Sequence, residues 1–540
     1  MTETYISLRN LENKVLGILH HGQVVLGDAE LSPIQVSIGQ FYGIEVNDFA
    51  VTVAKTALWI AESQMMKETE GIVHMNLDYL PLKTYANIIE GNALRIDWET
   101  VIPKHKTSYI MGNPPFVGSK MMSNKQRHEM AQTFLNDNGS QTKGSGTLDY
   151  VAAWYYKASQ FINAMRIRVA FVSTNSITQG EQVSALWKPV FEIFGTRIDF
   201  AHRTFKWNSE ASEKAAVHCV IVGFSSGLGG DKVIYDGNRK YLAANINGYL
   251  IDAPDVFIES RSKPICEVPT IGIGNKPIDG GNYLFTEEEK DEFIRKEPQS
   301  EQWFRPWIGA DEFINGYRRY CLWLGDCPPS ELRQMPEALK RVEAVKQFRL
   351  ASKSAPTRKL AETPRRFHVE NMPKSNYIVV PKVSSEKRRY VPMGFLSPDV
   401  LSSDLVFLIP DAALYHFGIL TSNVHMAWMR AVCGRLEMRY RYSKDIVYNN
   451  FPWPDVTDEQ KAVIEKLAQG VLDARGLYPE SSLADLYDER VMPFELLNAH
   501  RELDRAVMKL YGFSVRDFAE ADCVSALMEM YQKLTEVHER

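Results

Sequence analysis

The chain is poor in paired cysteine. Its six cysteines (Cys219, Cys266, Cys321, Cys327, Cys433 and Cys523) are scattered, and none forms a Cys-x-x-Cys pair. That spacing excludes a disulfide frame and a zinc ribbon, and it points to reduced thiols of a cytoplasmic protein. No apolar run approaches the ~20 residues that span a bilayer, so no membrane partner is expected. Met1–Asn10 has neither the basic nor the apolar part of a signal peptide. Internal repeats and low-complexity tracts are absent too. What is present is ordinary for a globular protein: 540 residues, 45% hydrophobic and 24% charged. That length builds two to four domains with sizeable cores.

Charge is unevenly spread. Between Arg333 and Arg389 there are 15 Lys or Arg against 5 Asp or Glu, in a chain whose net charge is −5. A basic stretch in an acidic protein points to a polyanion-binding surface, and a solvated basic helix and loop is the plainer reading of the same residues.

Residues 1–226 alternate helical and strand patterns, the mark of an α/β domain. Asn10–His21 reads as an amphipathic helix with Leu11, Val15, Leu16 and Leu19 on its apolar side. Phe41–Val46 reads as a strand carrying Glu45 near its end. Asp48–Met66 is a long helix capped by Asn47 or Asp48. Ile88–Glu90 is a short strand entering Gly91, and Asp149–Asn163 and Gln182–Phe194 are helical. Val169–Ser173 is a nearly continuous apolar strand. Ile198–Phe205 and Ala215–Phe224 form a final antiparallel pair. The glycine-rich linker Ser225–Gly230 closes this part. Residues 227–453 read as irregular α+β, and 454–540 as acidic and helical.

Asn113-Pro114-Pro115-Phe116 is the most informative motif. It follows Tyr109-Ile110-Met111-Gly112, which reads as the end of a buried strand. Two prolines continue neither a ladder nor a helix, so the backbone turns rigidly there. The carboxyl end of a strand is where α/β folds place ligands. The Asn113 side-chain oxygen and the Pro114 carbonyl are two acceptors that can hold both hydrogens of an exocyclic amine. Its lone pair is then free to attack an electrophilic methyl. Phe116 adds a stacking face. The bland alternative is a proline-stopped loop.

With these residues in place, the chain resembles class I S-adenosylmethionine-dependent DNA amino-methyltransferases of the adenine type, and most closely the MmeI-like fused restriction–modification enzymes. The resemblance covers essentially the whole chain. It implies a Rossmann-like methyltransferase domain over 1–226, a target-recognition domain over 227–453 and a helical C-terminal domain over 454–540. S-adenosylmethionine is the implied cofactor and double-stranded DNA the implied partner; methyl transfer needs no metal. Glu45 would accept the ribose hydroxyls of the cofactor. Asn92 and Ala93, in Gly91-Asn92-Ala93-Leu94, would meet its adenine ring, at a position where the family often has Asp. An aromatic at the end of Phe205-Lys206-Trp207 would stack on a flipped target base opposite Phe116, with Phe205 ahead of Trp207. The resemblance places Asp149 at the start of a helix facing the cofactor, where helix capping is the simpler role.

The recognition part carries Cys433-Gly434-Arg435-Leu436-Glu437-Met438-Arg439-Tyr440-Arg441. Arginine bonds bidentately to guanine, and glutamate accepts from a cytosine amine. Glu437 and Arg439, two apart, would share one face of a strand. The resemblance implies that the pair helps read a base, with Arg435 and Arg441 beside it. A phosphate-contacting strand or an internal ion pair is the competing reading. Lys353, Arg358, Lys359, Arg365, Arg366, Lys387, Arg388 and Arg389 would mostly touch phosphates.

A family member should also carry a glycine-rich loop after its first strand, where backbone approaches the cofactor closely. Gly227, Gly229 and Gly230 lie in a linker, and Gly272 and Gly274 precede no helix. The expectation is an α/β sheet lacking its first strand, which belongs between the strands ending at Glu45 and Asn113. The chain would then be a fragment, a decayed copy, or one partner of a polypeptide supplying that strand and loop. A non-enzymatic DNA-binding specificity module is the alternative function.

Overall fold

The computed structural model describes residues 1–20, 34–73, 86–135, 138–207, 217–516 and 518–538. The methyltransferase-like part runs α1 (Thr2–His20), β1 (Tyr42–Glu45), α2 (Asp48–Val73), β2 (Asn87–Glu90), β3 (Tyr109–Gly112), α3 (Asn124–Thr133), α4 (Ala152–Ile162), β4 (Arg168–Thr174), α5 (Glu181–Glu192), β5 (Arg197–Trp207), β6 (Val217–Ser225), β7 (Lys232–Asp236) and β8 (Arg239–Ala243). Two compact units emerge. The first holds residues 1–172, 189–197 and 223–229; the second holds 173–188, 198–222 and 230–540.

In the first unit β1 and β2 pair in parallel, with Glu45 opposite Glu90. β3 pairs in parallel with β4. β1 and β3 belong to separate sheets. Beneath β4, Tyr155 of α4 meets Phe171 and Phe224 at ring distances of 5.4 and 5.5 Å. Gly112 packs closely here: a Cβ would sit 3.3 Å from the Phe171 ring, which would have to shift slightly. A second core joins Tyr5, Ile38, Leu58, Ala61, Met65 and Ile88.

Three expectations for this unit are corrected. β3 is not buried: Tyr109 is 69% and Met111 53% exposed, because alternate residues of a strand face opposite sides and one side of β3 is uncovered. α1 begins at Thr2, well before Asn10; His21 lies outside the described residues. Its buried side is not Leu11, Val15 and Leu19, which are exposed, but Tyr5, Arg9, Asn13 and Leu16. Polar burial is tolerated because Arg9 bonds Glu12 and Thr69, and Thr69 bonds Asn13. Asn47 does cap α2, accepting the Ala50 N–H at 3.0 Å.

In the second unit β5 pairs in parallel with β7, and β7 pairs antiparallel with β8. The glycine stretch after β6 therefore leads into further strands of the β5 sheet. Beyond it, Phe304–Ile308 and Arg319–Leu322 pair antiparallel, as do Tyr377–Pro381 and Val406–Pro410. Trp307, Trp323, Phe367 and Tyr283 share one of the cores. Helices Asp458–Gly476, Phe494–Leu510 and Glu520–His538 complete the unit. No helix among the described residues is long and apolar enough to cross a membrane.

Candidate functional site

The Asn113-Pro114-Pro115-Phe116 turn leaves the carboxyl end of β3. Asn113 is exposed, Pro114 buried and Phe116 half-buried, so the first proline anchors the turn while the amide side chain is presented outward. The segment after it is clamped. Asp149 accepts the Ser119 N–H at 2.7 Å, and the Tyr150 N–H donates to the Val117 carbonyl at 2.9 Å. α4 starts at Ala152, and the Asp149 carboxylate, three residues before it, holds this loop.

Glu45 and the Gly91–Leu94 turn end adjacent parallel strands, joined by the Gly91 N–H donating to the Glu45 carbonyl at 2.8 Å. The Glu45 Oε1 accepts the N–H groups of Val46 and Asn47, which fixes its carboxylate at the mouth of the strand pair. Asn92 is held by both ends of its amide. Its Oδ1 accepts the Leu94 N–H at 2.9 Å, and its Nδ2 donates to Glu129 at 3.0 Å. Glu129 is 5% exposed and also takes the Tyr150 hydroxyl and Arg95. Burial and this carboxylate push the Tyr150 hydroxyl above its ordinary range. Glu45 and the Asn92–Ala93 turn are thus brought together, and Asn92 is tied through Glu129 to Tyr150, next to the Asp149 clamp.

Lys157 was not foreseen. Its Nζ donates to the carbonyls of Ala93, Leu94 and Ile96 at 2.8, 2.9 and 2.6 Å. Burial pulls its pKa down to about 8, which leaves it protonated at neutral pH. The available signal was a lone lysine among the apolar residues of Ala152–Ile162. These carboxylate and turn positions fit a nucleoside-bearing cofactor: a fixed strand-end carboxylate stands beside a turn pinned by a buried lysine, at the carboxyl ends of parallel strands.

In the second unit Phe205 is half-buried and Trp207 39% exposed, their rings 6.2 Å apart near the end of β5. The Gly434–Arg441 segment is a hairpin of strands Gly434–Leu436 and Arg439–Arg441. Glu437 and Arg439 do not share a strand. Glu437 lies in the turn with φ 59°, and its carboxylate pairs with Arg439 at 3.1 Å. Arg441 is exposed. Arg435 is half-buried, with Nη1 donating to the Met438 carbonyl at 3.1 Å and the guanidinium 4.6 Å from the Tyr440 ring.

The basic stretch is divided. Lys353, Arg358, Lys359, Arg366, Lys387 and Arg389 are exposed, while Arg365 and Arg388 are half-buried. Arg349 is fully buried and donates to the carbonyls of Pro277, Ile278, Leu360, Thr363 and Arg366. Its charge holds the fold and offers nothing to a polyanion. No group of three or more metal-ligating side chains occurs among the described residues.

Comparison with known proteins agrees along the chain. Residues 1–236 match the MmeI DNA-methyltransferase domain, 252–455 the MmeI target recognition domain and 456–538 the MmeI C-terminal domain. The chain is 40% identical over 537 residues to DNA methyltransferase A of Bacillus subtilis (strain 168), covering 99% of this chain and 60% of that protein. It therefore spans 60% of the length of that curated relative. It is similar to the structure of the type IIL restriction–modification enzyme MmeI in complex with DNA, with a TM-score of 0.88 and 45% identity over 99% of this chain and 71% of that one. The chain belongs to the MmeI family of type IIL restriction–modification enzymes.

Proposed function

We propose that the chain transfers a methyl group from S-adenosylmethionine to adenine N6 in duplex DNA, within a restriction–modification system. The observation that carries this reading is the Asn113-Pro114-Pro115-Phe116 turn, presented at the end of β3 and clamped behind by Asp149. S-adenosylmethionine supplies the electrophilic methyl. Asn113 Oδ1 and the Pro114 carbonyl hold the two amine hydrogens and orient the nitrogen lone pair. Phe116 offers the base a face, and Phe205, with Trp207 second, is the proposed further aromatic contact. Glu45 accepts the ribose hydroxyls, and the Asn92–Ala93 turn meets the cofactor's adenine.

The hairpin carries recognition. Glu437 and Arg439 are exposed by 74% and 46% at their side chains. An ion pair so exposed contributes little stability, so it opens at small cost to meet base edges. The exposed lysines and arginines of the basic stretch contact phosphates.

Asn113→Ala tests the reading. Methylation is lost while DNA affinity stays within about twofold if the turn is catalytic. A specificity module without catalysis, the second reading, shows no methylation in either protein.

A further inference from the structure

A small polar cavity of about 60 Å³ lies wholly within the second unit. Three arginines reach it from three elements: Arg203 from β5, Arg430 from helix Asn423–Val432, and Arg435 from the hairpin. Gln179 and Thr204 add neutral polar groups, and no Asp or Glu lines it among the described residues.

The charges do not cancel. Arg203 pairs with Asp236 at 2.9 Å, and Arg430 makes a two-pronged pair with Glu520 at 2.8 Å. Arg435 donates to the carbonyls of Met438 and Arg430 and lies over the Tyr440 ring. A positive excess remains, in arginine forks suited to an oxyanion.

The walls are fixed. Leu250, buried, holds φ 57° in the left-handed region, in a turn whose Tyr249 and Ile251 N–H groups donate to the Asn247 side chain at 3.0 and 3.3 Å. Such strain persists where the surroundings over-determine it, and it gathers at binding sites. On another side the Gly180 N–H donates to the Val432 carbonyl at 3.2 Å, and a Cβ on Gly180 would come within 3.5 Å of Gly434. The loop carrying Gln179 is therefore seated on the recognition hairpin.

We propose that this cavity takes one phosphate of the DNA backbone, held jointly by Arg203 and Arg435. The volume, room for about two waters, suits one tetrahedral oxyanion. Arg203 lies two residues before Phe205 on the same strand, so the site couples the register of the DNA strand to both the β5 aromatics and the reading hairpin. The proposal rests on the DNA reading above.

The test is the salt dependence of duplex-DNA affinity between about 50 and 200 mM salt, for the full chain, Arg203→Gln, Arg435→Gln and the double variant. Each single variant should reduce the slope of log K against log salt by about 0.9, the value for one lost phosphate contact. The double variant should lose no more than either single one, because both arginines serve the same phosphate. A parallel loss of affinity with unchanged slope would mean that the arginines only brace the fold, and an additive loss would mean two separate contacts; both overturn the proposal. Inorganic phosphate titrated alone forms a second arm. Its binding to the wild type, with DNA slopes unaffected by the variants, would assign the cavity to a free oxyanion and reject the DNA phosphate. A wild type that binds no duplex at any salt would instead bring down the DNA reading itself. Urea midpoints of the variants confirm that each is folded.

Discussion

The Asp149 carboxylate accepts the Ser119 N–H at 2.7 Å, across thirty residues of chain. It ties the loop behind Asn113-Pro114-Pro115-Phe116 to the approach of α4. Replacing Asp149 with Ala leaves a backbone donor without its charged acceptor, a loss of about 1–3 kcal/mol. Urea unfolding should show that loss, and DNA methylation should fall with it. Asp149→Asn keeps an acceptor and should fall between. Wild-type stability and activity in the alanine variant would refute the clamp.

Lys157 pins the Ala93–Ile96 turn through three carbonyls. Lys157→Met removes all three bonds and keeps the apolar stem. Calorimetric affinity for S-adenosylmethionine should drop about tenfold or more, while duplex-DNA affinity is retained. Equal loss of both would show general unfolding instead.

Arg349 is the buried exception in the basic stretch. Arg349→Met removes five hydrogen bonds, taking the guanidinium donors from the Pro277, Ile278 and Arg366 carbonyls while those of Leu360 and Thr363 keep a backbone donor, and should cost at least about 3 kcal/mol in unfolding experiments. Lysine cannot rebuild a planar fork and should rescue little. The salt slope of DNA binding, measured where the variant remains folded, should not change. A reduced slope would show that Arg349 does meet phosphate.

Asp504 gives a pH signature. It accepts the Tyr390 hydroxyl at 2.6 Å and the Asn423 N–H at 2.7 Å, and burial raises its pKa from 3.8 to about 6 against the pull of Arg389 and Arg430. Between those values the folded chain keeps a proton that the unfolded chain releases. The stability from this group is full below about pH 4 and lost as pH rises through 6, about 3 kcal/mol in all. Buried His425, lowered to about 3, has the opposite slope: its contribution is present above 6.5 and lost on acidification. Asp504→Asn should therefore lose stability more steeply than wild type as pH falls from about 6 to 4. Superimposable urea midpoints across that range would rule this out.

The motif turn was legible because two prolines constrain their own backbone whatever surrounds them. The carboxyl-end positions of Glu45 and Asn92 were legible for a similar reason, since strand endings show in short-range pattern. The exposure of β3 was not, because whether Tyr109 is buried depends on what packs over that side of the strand. Nor was the Glu437 turn: Glu437 and Arg439 alternate as on a strand, and only the left-handed backbone at Glu437 separates them. Arg349 and Lys353 look alike in a charge count; their difference lies in carbonyls contributed by distant segments. The buried face of α1 was not legible either, since it carries a charged residue, Arg9, whose burial is readable only once Thr69 and Glu12 are placed beside it.

The central claim is most directly tested by the product. The chain would be incubated with S-adenosylmethionine and bacterial genomic DNA, and the digested nucleosides identified by mass spectrometry. N6-methyladenine is expected with the wild type and none with Asn113→Ala. Methylation confined to cytosine, or no methylated nucleoside from a folded wild type that binds both cofactor and DNA, would contradict it.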